Sequence, residues 1–149
     1  DVYKRQTVCA INGHAFGAGF MFALTHDVRV MREDRGFLCA NEMQLGLPIP
    51  RPELALFRHK IPANAFFETV QLSKRWTGRD ALHAGIVQEL SSFDEMTAVV
   101  QRKAEELAPL ANNRKNYGHQ KEMLFGERAA INQIDGPAHM LKHSEDFNA

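Results

Sequence analysis

The fold is decided by residues 7–32, which read TVCAINGHAFGAGFMFALTHDVRVMR. Residues 8–11 form a short apolar run that ends at the turn signal Asn12-Gly13, which is typical of a buried strand. A loop of small residues follows at 14–19, and residues 20–24 are apolar on every side, as in a buried helix. Residues 27–32 alternate between apolar and polar, the period of a half-exposed strand. The stretch therefore predicts a strand, a glycine loop, a buried helix and a second strand.

The next part of the chain continues this α/β pattern. We expect a turn at 33–36, a short strand at 37–39 and a further strand at 86–90. Prolines at 48, 50 and 52 exclude an interior helix or a central strand there, because proline lacks a backbone donor. Helices are predicted at 53–59 and after Pro62, the latter with one buried stripe made of Ala63, Phe66, Phe67 and Val70.

Apart from the strand at 86–90, the second half of the chain is predicted to be helical. Thr77 and Asp80 have the spacing of a capping box and open a short helix that Gly85 closes. Ser92 and Glu95 form a second capping box before an amphipathic helix that stops near Pro109. Further helices are expected at 113–125 and 128–143. We therefore divide the chain into an α/β part at 7–91 and a helical C-terminal region at 92–149.

Composition limits the classes of function. The chain has 149 residues, 18 basic and 18 acidic residues, and 44% hydrophobic residues. A neutral chain lacks the basic face that nucleic-acid coating needs, and this hydrophobic fraction is too high for disorder. No run approaches the roughly 20 apolar residues that cross a bilayer. The two cysteines and seven histidines lack metal-ligand spacing, so we expect no metal site and a reducing compartment.

Residues 1–6, DVYKRQ, look foreign to the rest of the sequence. They match the in-frame translation of a transposase mosaic-end adapter used in sequencing libraries. We interpret them as an adapter artefact and leave them out of the fold argument. An exposed lead-in to the first strand is the alternative. Without them, 16 basic and 17 acidic residues remain over 7–149.

The glycine loop at 14–19 is the first candidate functional feature. Small residues let a ligand approach the backbone closely, and a helix beginning near Ala18 has unpaired N–H groups and a partial positive charge at its start. Such an end can hold an anion or a developing oxyanion. Alternatively, the glycines serve only tight strand–helix packing. The loop lacks the Gly-Lys-Ser/Thr ending of a phosphate-binding P-loop and the third glycine of a dinucleotide-binding motif.

Glu42 is the second candidate. It follows a short predicted strand, and apolar Met43 and Leu45 lie close to it in sequence. A carboxylate in apolar surroundings can act as a general base near neutral pH. The alternative is a solvated surface acid.

Three segments together resemble the crotonase (enoyl-CoA hydratase/isomerase) superfamily. They are VCAINGHAFGAG with ALTHDVRV (residues 8–30), NEMQLG (41–46) and TGRDA through AGIV (77–87). The resemblance implies a crotonase-like ββα superhelix, of which residues 7–91 form the C-terminal half of the core. It further implies Glu42 as catalytic base and the Ala18 N–H as oxyanion-hole donor. Contacts to substrate are expected from Phe16, Gly17, Gly19, Met21 and Asn41.

One departure from the family pattern indicates which reaction to expect. Hydratases of the family carry a glutamate at the position of Met21, and methionine cannot transfer a proton. One carboxylate suffices to shift a double bond, so the resemblance is closest to Δ3-Δ2-enoyl-CoA isomerases, which act on 3-enoyl-CoA in fatty-acid oxidation. A hydratase or another crotonase-type acyl-CoA enzyme is the first alternative. A non-catalytic acyl-CoA-binding homologue is the second.

The same resemblance sets expectations about partners. Coenzyme A enters as part of an acyl-CoA thioester substrate, with no separate cofactor, nucleic acid or membrane. The family assembles as homotrimers or hexamers. The expected location is the cytoplasm in a bacterium, and otherwise the mitochondrion or peroxisome. The chain resembles only the second half of a family subunit, so the second oxyanion donor and most of the adenine pocket would lie in a preceding half.

Overall fold

The computed structural model describes residues 4–124. Its regular elements, in chain order, are β1 (Val8–Ile11), β2 (Ala15–Phe16), α1 (Ala18–Thr25), β3 (Val28–Arg32), β4 (Leu38–Cys39), α2 (Arg51–Lys60), α3 (Ala63–Val70), α4 (Gly78–His83), β5 (Glu89–Ser91), α5 (Met96–Leu107) and α6 (Arg114–Leu124). Two 3-10 turns, Met43–Leu45 and Ala108–Ala111, lie between them.

The strands form two small parallel sheets. In the first, β3 lies between β1 and β5, with Val8 opposite Val28 and Met31 opposite Leu90. In the second, β2 pairs with β4, so that Ala15 lies opposite Leu38 and Phe16 opposite Cys39. Parallel neighbours need a crossover connection, and α1 supplies it between β1 and β3.

Helix α1 lies at the centre of the hydrophobic core. Its Phe20 and Leu24 are completely buried, and Phe20 meets Phe57 of α2 edge-to-face with ring centroids 5.4 Å apart. Such edge-to-face pairs stabilise a core beyond their buried area. This contact fixes α2 against α1. The prediction that α1 is buried on every side is wrong for one face: Phe20, Ala23 and Leu24 are buried, whereas Phe22 is 65% exposed, because this helix packs on its neighbours within residues 4–124 through one side only.

Most predicted elements are confirmed, but the strands differ from the prediction in four respects. Strand β3, predicted to be half-exposed, is buried from Arg29 to Met31, because it lies between β1 and β5 and the Arg29 guanidinium donates to the Ile86 and His26 carbonyls. Strand β1, predicted to be buried, is buried only at Ile11.

The structure adds β2 inside the predicted glycine loop, because two residues are too few to show a period. The strand predicted at 86–90 begins only at Glu89. Ile86 and Val87 instead donate their N–H groups to the Ala81 carbonyl at 2.8 and 3.2 Å, which closes α4.

The buried stripe predicted for α3 is wrong. Ala63 and Phe67 are exposed, with Phe67 at 61%, and Phe66 is half-buried; of the predicted set only Val70 is buried. The buried face instead contains Ala65 and Thr69. Thr69 fits there because its hydroxyl donates to the Ala65 carbonyl at 2.8 Å and accepts from the Trp76 indole at 3.0 Å. A hydroxyl with both partners can be buried at low cost, which an apolar pattern does not reveal.

Both capping boxes are present in the structure. The Thr77 hydroxyl accepts from the Asp80 N–H at 3.2 Å, and the Ser92 hydroxyl accepts from the Glu95 N–H at 3.3 Å. Helix α5 ends at Leu107, next to the predicted proline stop. Helix α6 matches the prediction for 113–125, whereas the helix predicted at 128–143 lies outside the described residues.

The last described helix is joined to the start of the sheet by an ion pair. Lys121 donates to the Asp27 carboxylate at 2.7 Å, and the N–H and hydroxyl of Thr7 donate to the same oxygen. Both charged side chains are largely buried, so the pair is screened less than a surface pair. No helix between residues 4 and 124 is long and apolar enough to cross a membrane.

We predict that Gly36→Ala destabilises the protein far more than Gly13→Ala. Gly36 has φ +106°, and a Cβ there would overlap the Gly13 carbonyl, whereas a Cβ at Gly13 would meet nothing within 4 Å. The free energy of unfolding, measured by urea denaturation, should fall by roughly 2 kcal/mol or more for Gly36→Ala. An equal loss of unfolding free energy in the two variants would contradict the close approach of Gly36 to the Gly13 carbonyl.

Candidate active site

The pairing of β2 with β4 brings the glycine loop beside residues 41 and 42. Ala15 donates its N–H to the Phe37 carbonyl and Gly17 donates to the Cys39 carbonyl, both at 2.9 Å. Gly17 then takes φ +49° and leads directly into α1. Because β4 is only two residues long, the chain reaches Glu42 three residues after this pairing.

Gly17 lies beside both polar side chains that follow β4. A Cβ on Gly17 would lie 3.2 Å from Oε1 of Glu42 and 3.5 Å from Oδ1 of Asn41. Glycine is therefore favoured here for two reasons. An L-residue would be strained at this positive φ, and its side chain would crowd Glu42. The structure thus brings together Gly17, Asn41 and Glu42, three of the residues that the sequence singled out.

The start of α1 presents free backbone donors. Phe20 and Met21 both donate to the Gly17 carbonyl, at 3.0 and 3.1 Å. Ala18 and Gly19 come before the first of these donors in the chain, so their N–H groups have no acceptor within the helix. Both residues are exposed, and the first turn contains no acidic residue. This helix end is therefore suited to a partial or full negative charge.

Glu42 is half-buried at the start of the 3-10 turn Met43–Leu45. Its Oε2 is buried and has no hydrogen-bond partner among residues 4–124. A buried carboxylate oxygen without a partner is costly, which is typical of a group kept for chemistry. Glu42 is thus the candidate proton acceptor of this site.

Two further predicted site residues lie on either side of the start of α1. Met21, on the first turn of α1, is half-buried and packs against the core cluster. Phe16 is half-buried in β2, and the Arg75 guanidinium carbon lies 5.7 Å from the centre of its ring. The sequence did not single out Arg75, because a basic residue before a helix has no distinctive pattern.

Glu53 is a second acidic residue that the sequence did not single out. It lies in the first turn of α2, and its Oε2 is also buried without a partner in the described part of the chain. Burial raises the pKa of the Glu53 carboxyl, a hydrogen bond from its own backbone opposes this, and the negative charge of Glu42 raises the pKa further. Only its place directly after three closely spaced prolines could have drawn attention to it.

The thiol of Cys39 lies on β4, close to the two charged neighbours of the site. Burial raises its pKa; Arg75 opposes this shift and Glu42 adds to it. Its Sγ donates to the Ser73 carbonyl at 3.3 Å. A thiol held in this state is a poor nucleophile, so it is no candidate for covalent catalysis.

A cavity in the described part of the chain lies apart from this site. It has a volume of about 200 Å³, lies between α3 and α4, away from Glu42, and is lined by Asn64, Ala65, Glu68, Lys74, Trp76, Asp80, His83 and Ala84. Lys74 there pairs with Glu68 at 2.6 Å and lies over the Trp76 ring. Within residues 4–124, no group of three or more His, Cys, Asp or Glu side chains is placed to hold a metal ion.

Comparison with known proteins gives consistent matches. The profile of the enoyl-CoA hydratase/isomerase family matches residues 2–145. Peroxisomal enoyl-CoA delta isomerase 2 of Arabidopsis thaliana is 37% identical over 128 residues, which cover 84% of this chain and 53% of that protein. Enoyl-CoA delta isomerase 3 of the same plant is 36% identical over 125 residues, which cover 81% and 52%.

A solved structure agrees with these matches. The crystal structure of a probable enoyl-CoA hydratase from Mycobacterium tuberculosis has a TM-score of 0.76 and 27% sequence identity, and covers 97% of this chain and 61% of that one. The predicted crotonase fold, with its parallel strands and helical C-terminal region, is therefore confirmed. The chain spans about half the length of the curated relatives that it matches. Since the family profile covers nearly the whole sequence, the chain belongs to the enoyl-CoA hydratase/isomerase family of the crotonase superfamily.

Proposed function

We propose that the protein containing this chain is an enoyl-CoA isomerase that moves a double bond from C3 to C2 of an acyl-CoA thioester, with Glu42 as its single proton carrier. The observation that carries the proposal is the unpartnered, buried Oε2 of Glu42, whose other oxygen lies beside Gly17 at the start of α1. The similarity to two enoyl-CoA delta isomerases supports it.

The reaction needs one base and one site for negative charge. Glu42 removes a proton from C2, which the thioester makes acidic. The electron pair moves toward the thioester oxygen, where the Ala18 N–H donates a hydrogen bond to the developing oxyanion. As the charge returns to the carbon chain, the protonated Glu42 delivers its proton to C4, and the double bond comes to lie between C2 and C3. A second oxyanion donor would come from elsewhere in the protein.

The other candidate residues have supporting roles in this proposal. Gly17 lets the thioester approach the start of α1, and Gly19 keeps the adjacent backbone open. Asn41 orients Glu42 against Gly17. Met21 and Phe16 form apolar walls that keep water from the dienolate, since water there would weaken the electrostatic stabilisation.

The substrate would be a 3-enoyl-CoA formed during the breakdown of unsaturated fatty acids, with coenzyme A entering as part of the substrate. A homotrimer or hexamer is the proposed assembly. In a eukaryotic cell we place the protein in the peroxisome, as the name of one relative states for that relative.

We predict that Glu42→Gln lowers kcat for isomerisation of a 3-enoyl-CoA by roughly 10³-fold, because the amide cannot accept the C2 proton. The measurement is the appearance of 2-enoyl-CoA, followed by its absorbance. Glu105→Gln is the matched control, because Glu105 is an exposed acid on α5. Full activity in Glu42→Gln would refute the assignment, and the absence of turnover in the unaltered protein would favour a non-catalytic acyl-CoA-binding role.

We predict that Met21→Glu introduces hydration of 2-enoyl-CoA, because it places a second carboxylate where it can orient water opposite Glu42. The ratio of hydration to isomerisation, measured by separating the products, should rise by at least tenfold, within the range typical of one acid–base group. An unaltered protein that hydrates faster than it isomerises would instead identify it as a hydratase.

A further inference from the structure

An exposed arginine beside the candidate site has no acidic partner. Arg75 lies between α3 and α4, and it forms no ion pair with any carboxylate among residues 4–124. By contrast, Arg32 pairs with Asp34 at 2.6 Å. Within the described part of the chain, the positive charge of Arg75 is therefore not neutralised by a neighbouring acid.

The backbone holds Arg75 beside β4. Trp76, the next residue, exchanges two backbone hydrogen bonds of 2.9 Å with Leu38 in an antiparallel bridge. Two positions before Arg75, the Ser73 carbonyl accepts a hydrogen bond from the Cys39 thiol at 3.3 Å. Arg75 is thus anchored on both sides along the chain, next to the strand that precedes the candidate base.

The side chain of Arg75 reaches across β4 to β2. Trp76 lies opposite Leu38 in the bridge, and both are buried. Arg75, one residue earlier, therefore lies opposite Cys39, which in turn pairs with Phe16 of β2. The guanidinium carbon of Arg75 lies 5.7 Å from the centre of the Phe16 ring. Attraction between the cation and the ring favours this orientation of the side chain.

Phe16 connects Arg75 with the place where the thioester is proposed to bind. Gly17 follows Phe16 directly, and the Cα atoms of Phe16 and Ala18, the proposed oxyanion donor, are at most about 7 Å apart. Strands β2 and β4, helix α1 and the turn Met43–Leu45 contain no basic side chain. Arg75 thus places a positive charge at the edge of a site whose own elements have none.

We propose that Arg75 is a binding residue for an anionic group of the acyl-CoA substrate. The inference rests on the proposed isomerase function. Every acyl-CoA carries phosphates beyond its pantetheine arm, and dicarboxylic acyl chains also end in a carboxylate. Both groups present paired oxygen atoms that the N–H groups of a guanidinium recognise in a bidentate way. The Phe16 ring keeps the guanidinium of Arg75 in place for this contact.

Arg75 acts on binding and takes no part in proton transfer. An arginine side chain keeps its proton in proteins, so it cannot serve as a base. The anionic group of the substrate does not change its charge when the double bond moves, so its contact with Arg75 has the same strength before and during the reaction. Loss of such a contact raises KM and leaves kcat unchanged.

The first test measures binding without turnover. Octanoyl-CoA, octanoyl-pantetheine and octanedioyl-CoA have saturated acyl chains, so the complete protein cannot isomerise them, and calorimetry gives the Kd of each. In Arg75→Gln the Kd of a ligand that carries the recognised group should rise roughly tenfold, as is typical for the loss of one charge-assisted hydrogen bond. Arg75→Lys should recover part of the affinity, because lysine keeps the charge but not the planar fork.

The chain offers a matched control variant. Arg58 is also exposed, and its guanidinium carbon lies 5.6 Å from the centre of the Phe66 ring, but it lies in the last turn of α2. Arg58→Gln therefore removes the same kind of cation–ring contact away from Phe16 and should leave every Kd unchanged.

The three ligands identify the anionic group. A higher Kd for octanoyl-CoA and octanedioyl-CoA, with octanoyl-pantetheine unchanged, assigns Arg75 to the phosphates of coenzyme A. A higher Kd for octanedioyl-CoA alone assigns it to the acyl carboxylate. An equal rise for all three ligands would indicate a structural role, and no rise beyond that of Arg58→Gln would indicate no role in binding; either result overturns the proposal.

Kinetics separates the role of Arg75 from the proposed function. With a 3-enoyl-CoA that carries the recognised group, Arg75→Gln should raise KM about tenfold and keep kcat within about twofold of the unaltered protein. If the Kd values rise but the unaltered protein does not isomerise 3-enoyl-CoA, the isomerase function fails and the binding role stands. If isomerisation depends on Glu42 and Arg75→Gln binds all three ligands as Arg58→Gln does, the function stands and the role of Arg75 is refuted.

Discussion

The candidate site depends on the pairing of two very short strands. Four residues form the β2–β4 pairing, and the hydrogen bond from Gly17 to the Cys39 carbonyl extends it to the start of α1. On its other side β4 is held by Leu38 and Trp76, which exchange two backbone hydrogen bonds of 2.9 Å. With β4 fixed on both sides, Glu42 has little freedom to move away from Gly17. The position of Glu42 thus depends on backbone pairing more than on side-chain contacts.

The arrangement is costly in stability. Buried carboxylate oxygens of Glu42 and Glu53 lack partners in the described part of the chain. Each such unpartnered oxygen costs on the order of 1–3 kcal/mol in a typical protein. The core around Phe20, Leu24 and Phe57 offsets these costs by burying large apolar side chains completely. Costly groups gathered at one place and surrounded by a well-packed core are typical of catalytic sites.

The sequence predicted the parts of the fold that have a clear local cause. The apolar run at 20–24 and the capping boxes at Thr77 and Ser92 have physical causes within a few residues, so α1, α4 and α5 were found correctly. It missed β2, because a two-residue strand is defined only by its partner. It placed the wrong face of α3 inside, since the burial of Thr69 depends on the Trp76 indole seven residues away.

The candidate site was predictable to a similar degree. The glycine loop and Glu42 were expected to form one site, and the structure brings Gly17 and Glu42 into contact. The burial of Glu53 was not expected, because it follows from the packing of α2 on α1. Nothing in the local sequence distinguishes it from a solvated acid in the first turn of a helix, where acids are common.

The start of α1 also has a consequence for how the protein can evolve. The proposed oxyanion donor at Ala18 is a backbone N–H, which every amino acid except proline provides. Side-chain identity at residue 18 is therefore free to drift over generations as long as the helical start is kept. Gly17 has no such freedom, because its positive φ and its contact with Glu42 both exclude a side chain. Natural selection should thus act strongly on residue 17 and weakly on residue 18, although only residue 18 would donate to the substrate.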